Sequence, residues 1–282
     1  MAETRRSRPR PFAGKSVIIA GGSQGIGLAV AKEVVQRGGS VCIVAIGALE
    51  EAKKEVEPLR LDKDQFVETI PCDATDMDRL KPLLEEHIKR RGVPDCLFNF
   101  VGYAHAQYVE KLSLEDFKRN MDVNYYGQLV PTLIVLPYYL KARRGGCIAF
   151  TSSVLGYMGL MGYAAYAPTK HAIVGLAETL RHELKPFGIT VSILYPPDTR
   201  TPGFEKENLT KPPECAMMSE KAGLLEPKEV AATFIEGVLR KKFQILPGKP
   251  RMYWRLFRHL PGLMRRVLDS DYAKARGRLG KS

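Results

Sequence analysis

A glycine-rich segment close to the N-terminus limits the fold of this chain more than any other feature. Residues 16–21 (SVIIAG) form a short apolar run rich in β-branched residues, which predicts a buried parallel strand. Apolar residues then recur every four positions, at Ile26, Val30 and Val34, and predict a helix that ends at Gly38-Gly39. Glycines between a strand and a helix are typical of loops whose backbone N–H groups bind a pyrophosphate; a plain tight turn is the alternative.

This loop leads into residues expected to contact the rest of a dinucleotide. The candidate phosphate-binding residues are Gly21, Ser23, Gln24, Gly25, Ile26 and Gly27. At the end of the second strand, an Asp or Glu favours NAD and an Arg favours NADP. Ile46 stands there and is neither. Asp73, after the third strand, is expected either to accept from the adenine amino group or to cap a helix that starts near Asp76.

Strand-like and helix-like segments alternate along the chain. Further strands are predicted at 40–46, 94–102, 146–153 and 188–197, with another ending at Cys72-Asp73. Helices are predicted at 48–60, 113–130 and 166–186. This alternation predicts the α/β class: a single Rossmann-type, doubly wound parallel sheet with helices on both faces.

Three polar residues have a spacing that favours proton transfer. Tyr166 and Lys170 are four residues apart and so share one face of a predicted helix. An ammonium group beside a phenol favours the phenolate, so we expect a lowered pKa for Tyr166. Ser153, at the end of the fifth strand, supplies a hydroxyl that can hold a carbonyl oxygen. The set can move a proton to or from an alcohol; a buried Tyr, a Lys with an exposed tip and a loop Ser are the alternative interpretation.

Composition narrows the class of protein further. The five cysteines are an odd number without a C-x-x-C pair, which favours a reducing compartment and argues against a disulfide framework or a zinc site. No apolar run reaches the roughly 18 residues of a membrane-spanning helix, and the basic start of the chain is unlike a secretory signal. We therefore expect a cytoplasmic protein without a metal; peripheral attachment to a membrane that faces the cytosol stays open.

The net charge of +12 is concentrated at the two ends of the chain. Residues 240–282 carry thirteen Lys and Arg against two Asp, and residues 1–10 carry four Arg against one Glu. Such ends attract nucleic acid or an anionic membrane; solvated termini are the alternative, and no nucleic-acid partner is expected. We divide the chain into a basic tail (1–13), a dinucleotide-binding catalytic domain (14–248) and a basic C-terminal extension (249–282).

The C-terminal extension has the pattern of a basic amphipathic helix. Apolar residues recur at spacings of three and four from Tyr253 to Leu268, with arginines mostly between them, and Pro261-Gly262 should divide the segment into two short helices. This pattern suits the interface of an anionic membrane. Packing of the apolar face on the body of the protein or on a second subunit is equally compatible.

Taken together, these motifs resemble the short-chain dehydrogenase/reductase family over about residues 14–240. The resemblance rests on the glycine loop, Asp73, Asn124, Ser153, the Tyr166-x-x-x-Lys170 pair and the Pro196 segment with Thr201. It implies an Asn124–Ser153–Tyr166–Lys170 tetrad. In that tetrad Tyr166 is the general acid in reduction, Ser153 binds the substrate oxygen, Lys170 bonds the nicotinamide ribose and lowers the pKa of Tyr166, and Asn124 holds a relay water. From the residues alone, Asn124 is a poor helix former and should bond to water or backbone near the site.

Residues 195–208 (YPPDTRTPGFEKEN) resemble the branch of this family that reduces long-chain keto-sphingoid bases. The resemblance implies an NADPH-dependent reductase, with NADH as the alternative cofactor, a long-chain lipid ketone as substrate, and a homodimer or homotetramer. It also implies a lid formed by residues 199–225, with Thr201 on the nicotinamide carboxamide. Further implied cofactor-binding positions are Asn99, Gly102, Pro196 and Thr199. Other lipid keto reductases, including hydroxysteroid reductases, and a catalytically silent dinucleotide sensor are the competing hypotheses.

Overall fold

A computed structural model of the chain describes residues 10–220 and 223–280. Over these residues the strands form one seven-stranded sheet, in which every neighbouring pair is parallel, in the order β3-β2-β1-β4-β5-β6-β7. The strands are β1 (Ser16–Ala20), β2 (Ser40–Ala45), β3 (Val67–Pro71), β4 (Cys96–Asn99), β5 (Gly146–Thr151), β6 (Ile189–Leu194) and β7 (Gln244–Ile245). The predicted doubly wound parallel sheet is confirmed. β7 was not predicted, because two residues are too short to show a pattern.

Helices cover both faces of the sheet. In chain order they are α1 (Gly25–Gln36), α2 (Leu49–Val56), α3 (Met77–Arg91), α4 (Leu114–Met121), α5 (Gly127–Ala142), α6 (Ala167–Glu183), α7 (Pro202–Asn208), α8 (Pro213–Ser219), α9 (Pro227–Leu239), α10 (Pro250–His259) and α11 (Pro261–Arg278). Helices α1, α2 and α9 pack on one face through one buried apolar cluster, and α3, α5 and α6 pack on the other face through a second. The strand order reverses between β1 and β4, so the crevice at their carboxyl ends is the expected ligand site.

The helix predicted at 113–130 is longer and less regular than the sequence indicated. It begins with a capping box between Ser113 and Asp116 and continues as α4 to Met121. A π-helical turn, Asp122–Tyr126, then leads into α5, which ends at Ala142 and contains Pro131. The prediction is therefore wrong in both end point and regularity. π turns inside α-helices are frequent at functional sites.

The described residues nearest each end of the chain contact the body of the protein. Residues 1–9 of the predicted basic tail lie outside the described residues, whereas Phe12 is buried in the same apolar cluster as α1. At the other end, α11 packs against α8 and buries Met264 and Ala275, and the Phe257 ring of α10 lies 6.1 Å from the ring of Tyr157. None of the helices in the described ranges is long and apolar enough to cross a bilayer.

Candidate active site

The glycine loop brings the ends of β1 and β4 into direct contact. Gly21 has a φ of +78°, and a Cβ atom on it would lie 2.6 Å from the backbone nitrogen of Val101. A Cβ on Gly27 would lie 2.2 Å from the carbonyl oxygen of Gly21. Gln24 begins α1 without a side-chain cap, so the N–H groups of the first turn are left available to an anion. These residues therefore fit the pyrophosphate of a dinucleotide.

The ribose end of this crevice lacks an obvious phosphate anchor. Ile46 follows β2 with 82% of its surface exposed. Asp76, rather than Asp73, caps α3, since its side chain accepts a hydrogen bond from the backbone N–H of Arg79 at 3.0 Å. Asp73 accepts hydrogen bonds from the backbone and hydroxyl of Thr75, both at 2.9 Å. The capping alternative for Asp73 is thus wrong, because the cap lies three residues later.

The helix pattern of the sequence places Tyr166 and Lys170 together at the start of α6. Tyr166 is the residue before the first turn, and the Nζ atom of Lys170 lies 5.4 Å from the centre of its ring. Lys170 is 2% exposed and donates a hydrogen bond to the carbonyl oxygen of Thr151 at 3.2 Å. Ser153 follows β5 and hydrogen-bonds the Tyr166 phenol. Phenol, hydroxyl and amine therefore meet at the carboxyl end of β5.

The expectation that Lys170 lowers the pKa of Tyr166 is wrong for the protein alone. Burial raises the pKa of Tyr166 well above its ordinary value, and the Glu207 carboxylate raises it further, whereas the hydrogen bond with Ser153 lowers it. Burial also lowers the pKa of Lys170 to about 7. At neutral pH the amine is therefore only partly charged, so it lowers the pKa of the Tyr166 phenol only weakly.

The side chain of Asn124 is engaged with the backbone beside Lys170. It lies within the π turn, accepts a hydrogen bond from the backbone N–H of Tyr103 at 2.8 Å and donates one to the carbonyl oxygen of Tyr103, also at 2.8 Å. This confirms the expected backbone bond. A Cβ atom on Gly102 would lie 3.4 Å from both Asn124 Oδ1 and Lys170 Nζ, so these three predicted residues are brought together.

Sequence reasoning missed Gln128, which connects these parts. Its side chain is fully buried and donates to the carbonyl oxygens of Asn124 at 3.0 Å and Thr151 at 2.9 Å. It also accepts from the backbone N–H of Thr151 at 2.8 Å. The available signal was a polar residue at every fourth position, in Asn120, Asn124, Gln128 and Thr132. Asn99, another candidate, directs its amide nitrogen to Thr132 and to a β5 carbonyl oxygen, inside the sheet–helix interface.

The segment from Pro196 to Thr201 runs from the neighbour of Ser153 to the glycine loop. The carbonyl oxygen of Pro196 accepts from the backbone N–H of Val154 at 3.3 Å, next to Ser153. A Cβ atom on Gly25 would lie 3.0 Å from Thr201 Cγ2, so Thr201 stands against the glycine loop while its hydroxyl caps α7. Thr199 is buried and donates to the carbonyl oxygen of Pro197. In the described part of residues 199–225, α7 and α8 form the region predicted as a lid.

The family match agrees with this geometry. The short chain dehydrogenase family profile matches residues 15–212. This chain belongs to that family. Among curated proteins, the chain is 39% identical to the 3-dehydrosphinganine reductase of Danio rerio over 239 residues, which cover 84% of this chain and 72% of that protein. It is 37% identical to the 3-ketodihydrosphingosine reductase of Bos taurus (83% and 72%) and 35% identical to that of Dictyostelium discoideum (84% and 75%).

Solved structures of the family share the fold. A short chain dehydrogenase of Burkholderia phymatum in complex with NAD aligns with a TM-score of 0.78 at 22% identity, covering 90% of this chain and 96% of that one. A short chain dehydrogenase of Mycobacterium paratuberculosis bound to NAD aligns with a TM-score of 0.75, also at 22% identity, covering 86% and 99%. Because the chain belongs to the short chain dehydrogenase family, it is an oxidoreductase, and its glycine loop fits the pyrophosphate of a nicotinamide dinucleotide.

Proposed function

We propose that this chain uses NADPH to reduce the ketone of a long-chain 3-keto sphingoid base, converting 3-ketodihydrosphingosine to dihydrosphingosine. The observation that carries the proposal is the meeting of Ser153, Tyr166 and Lys170 beside the glycine loop. The substrate class rests on the curated reductases of Danio rerio and Bos taurus, whose similarity extends over most of this chain.

The proposed chemistry assigns proton transfer to the protein. The nicotinamide, when bound, supplies a hydride to the carbonyl carbon. Tyr166 donates the phenolic proton to the carbonyl oxygen, and Ser153 donates a hydrogen bond to the same oxygen. The raised pKa of Tyr166 keeps the phenol protonated at neutral pH, as reduction requires. Lys170 bonds the ribose and resupplies the proton through a water held by the Asn124 segment.

The proposal is tested by following nicotinamide absorbance with purified protein. Oxidation of NADPH should depend on the keto-sphingoid base, and a 3-ketosteroid of comparable apolar surface should be turned over far more slowly. Faster turnover of the steroid would show that the substrate class is wrong, whereas the assignment as a ketone reductase would stand. Absence of turnover with either ketone and either nicotinamide cofactor would contradict the assignment as a reductase.

We further propose that the C-terminal extension attaches the protein to an anionic membrane facing the cytosol. The stripe formed by Leu260, which immediately precedes α11, and by Leu263 and Val267 within it is between 41% and 53% exposed, although the adjacent Met264 is buried where α11 packs on the body. Arg258, Arg265 and Arg266 belong to the same extension and are exposed. Such a surface combines apolar insertion with attraction to anionic headgroups. A homodimer or homotetramer is proposed from the resemblance alone.

A further inference from the structure

Asp198 is held on a fixed backbone next to the catalytic serine. Its carbonyl oxygen accepts from the backbone N–H of Leu225 at 3.0 Å, and the N–H of Arg200 donates to the carbonyl oxygen of Leu225 at 2.9 Å. Two residues earlier, Pro196 is bonded to the backbone of Val154, the neighbour of Ser153. Asp198 therefore lies just beyond the carboxyl end of β6, and its carboxylate is near enough to Tyr166 to contribute to the raised pKa of the phenol.

A cluster of polar side chains surrounds this carboxyl group and extends to the catalytic tyrosine. The Tyr163 ring lies 5.8 Å from the Tyr166 ring, and its hydroxyl donates to the Glu207 carboxylate. The Lys211 amine lies 2.9 Å from the same carboxylate, and its side chain is 2% exposed. Asp198 interacts electrostatically with Glu207 and Lys211 of this cluster, and its pKa is lowered by the neighbouring Ser219, whose hydroxyl donates to the carbonyl oxygen of Ala216 at 3.0 Å.

The cluster carries more negative than positive charge. Among its described members, Asp198 and Glu207 are carboxylates and Lys211 is the single ammonium, which is already paired with Glu207. Burial and repulsion by Glu207 raise the pKa of Asp198 to about 6, against the opposing effects of Lys211 and Ser219. Burial makes this carboxylate costly to keep ionised, so a cation that binds beside it would stabilise the charged form.

The substrate of the proposed function offers such a cation. A 3-keto sphingoid base carries a primary amine on the carbon next to the ketone. The amine nitrogen therefore lies about 2.5 Å from the carbonyl carbon, by the same bond lengths that separate N from C in a peptide unit. When Tyr166 and Ser153 hold the ketone oxygen, the amine has to lie against the residues that surround the Tyr166 phenol.

We propose that the Asp198 carboxylate binds the ammonium group of the substrate and thereby selects amino ketones over plain long-chain ketones. This inference rests on the proposed function. Glu207 has a positioning role, since it is committed to Lys211 and Tyr163. Residues 196–199 (PPDT), within the segment that resembles the sphingoid-base reductases, would in this way hold a carboxylate for the amine of the substrate.

The test compares two ketones of equal chain length, the 2-amino 3-ketone and its analogue without the amine. In wild type, kcat/KM should favour the amino ketone, and Asp198→Asn should reduce that preference at least about tenfold, chiefly through KM, because one charge-assisted bond is lost. Glu205→Gln, which alters an exposed carboxylate on the neighbouring helix α7, is the matched control and should leave the preference unchanged. An unchanged preference in Asp198→Asn, or an equal loss toward both ketones, would overturn the proposal.

A second measurement does not depend on the variant folding. A long-chain primary amine should inhibit wild type at least about tenfold more tightly than the alcohol of equal length. Equal inhibition by amine and alcohol would also overturn the role of Asp198. Failure of the proposed function looks different, because wild type would then turn over neither ketone, or would prefer a ketone of another class.

Discussion

The amine of Lys170 lies 5.4 Å from the centre of the Tyr166 ring and, at the same time, donates a hydrogen bond to the carbonyl oxygen of Thr151. The two residues are buried together, yet burial moves their pKa values in opposite directions, up for the phenol and down for the amine. In the protein alone the phenol therefore stays protonated at neutral pH, and the amine is only partly charged.

Replacing Tyr166 by Phe should abolish most of the turnover while cofactor binding is retained. The variant lacks the phenolic proton but keeps the ring, and loss of a general acid costs about 10²–10⁴ in rate. Single-turnover absorbance measures the chemistry, and fluorescence titration of the bound nicotinamide measures binding. Turnover close to that of wild type would show that another group supplies the proton.

Stability should rise with pH above neutrality because of Lys170. The pKa of this amine is about 7 in the folded chain and about 10.5 in the unfolded chain, so the unfolded state holds an extra proton between these values. The free energy of unfolding should therefore increase with pH in that window, by at most about 1.4 kcal/mol per pH unit. Urea unfolding at several pH values should give a flatter dependence for Lys170→Met, and identical slopes would contradict the prediction.

Gly27→Ala should weaken cofactor binding strongly. The added Cβ atom would lie 2.2 Å from the Gly21 carbonyl oxygen, so the loop that contacts the pyrophosphate has to move. Calorimetric titration should show the loss of affinity. Gly175→Ala is the control, because nothing lies within 4 Å of a Cβ atom there and α6 should gain up to about 1 kcal/mol from the helix preference of Ala. Equal cofactor affinity in both variants would argue against a pyrophosphate site at this loop.

Cofactor selectivity should be modest in wild type and should sharpen in Ile46→Arg. The exposed Ile46 offers no partner to a 2′-phosphate, whereas an arginine at this position is the usual anchor. We expect the preference of wild type for NADPH over NADH to be about tenfold or smaller, and the variant to raise it at least about tenfold. A strong preference in wild type would show that another cation, such as Lys53 or Lys54, binds the phosphate.

Membrane attachment should depend on the exposed stripe of α11. Replacing Leu260, Leu263 and Val267 together by Gln keeps the charge but removes the apolar surface, and should lower association with anionic vesicles at least about tenfold. Sedimentation with vesicles rich in phosphatidylserine measures this. Leu114→Gln removes a comparably exposed leucine from α4 and is the control. Equal sedimentation of the triple variant and wild type would refute the membrane role.

The sheet and the catalytic pair could be predicted because their signals are local. The apolar run before Gly21 and the four-residue spacing of Tyr166 and Lys170 depend only on neighbouring residues. The pKa of Tyr166 could not be predicted in this way. Its direction is set by burial and by Glu207, which lies 41 residues further along the chain, and neither is visible in the spacing of the pair.

The other features that the sequence did not predict also depend on how separate elements pack together. Gln128 joins the Asn124 and Thr151 backbones across two elements, so its importance appears only when these elements are packed. The extension shows a basic amphipathic pattern, but the pattern does not reveal that Met264 would be buried against α8 while Leu263 stays exposed. Membrane contact and packing on the body, which the sequence left as alternatives, can thus involve different faces of one helix.

The π-helical turn at Asp122–Tyr126 has a consequence for engineering and for natural variation in chain length. A π turn accommodates one residue more than a regular helix, so deleting a single residue here would restore ordinary winding. The helix on either side would keep its orientation, and the residues of the turn itself would be displaced. Asn124 would move away from the Tyr103 backbone, and the packing of Asn124 beside the amine of Lys170 would be lost. A deletion that improves the regularity of this helix should therefore damage the enzyme.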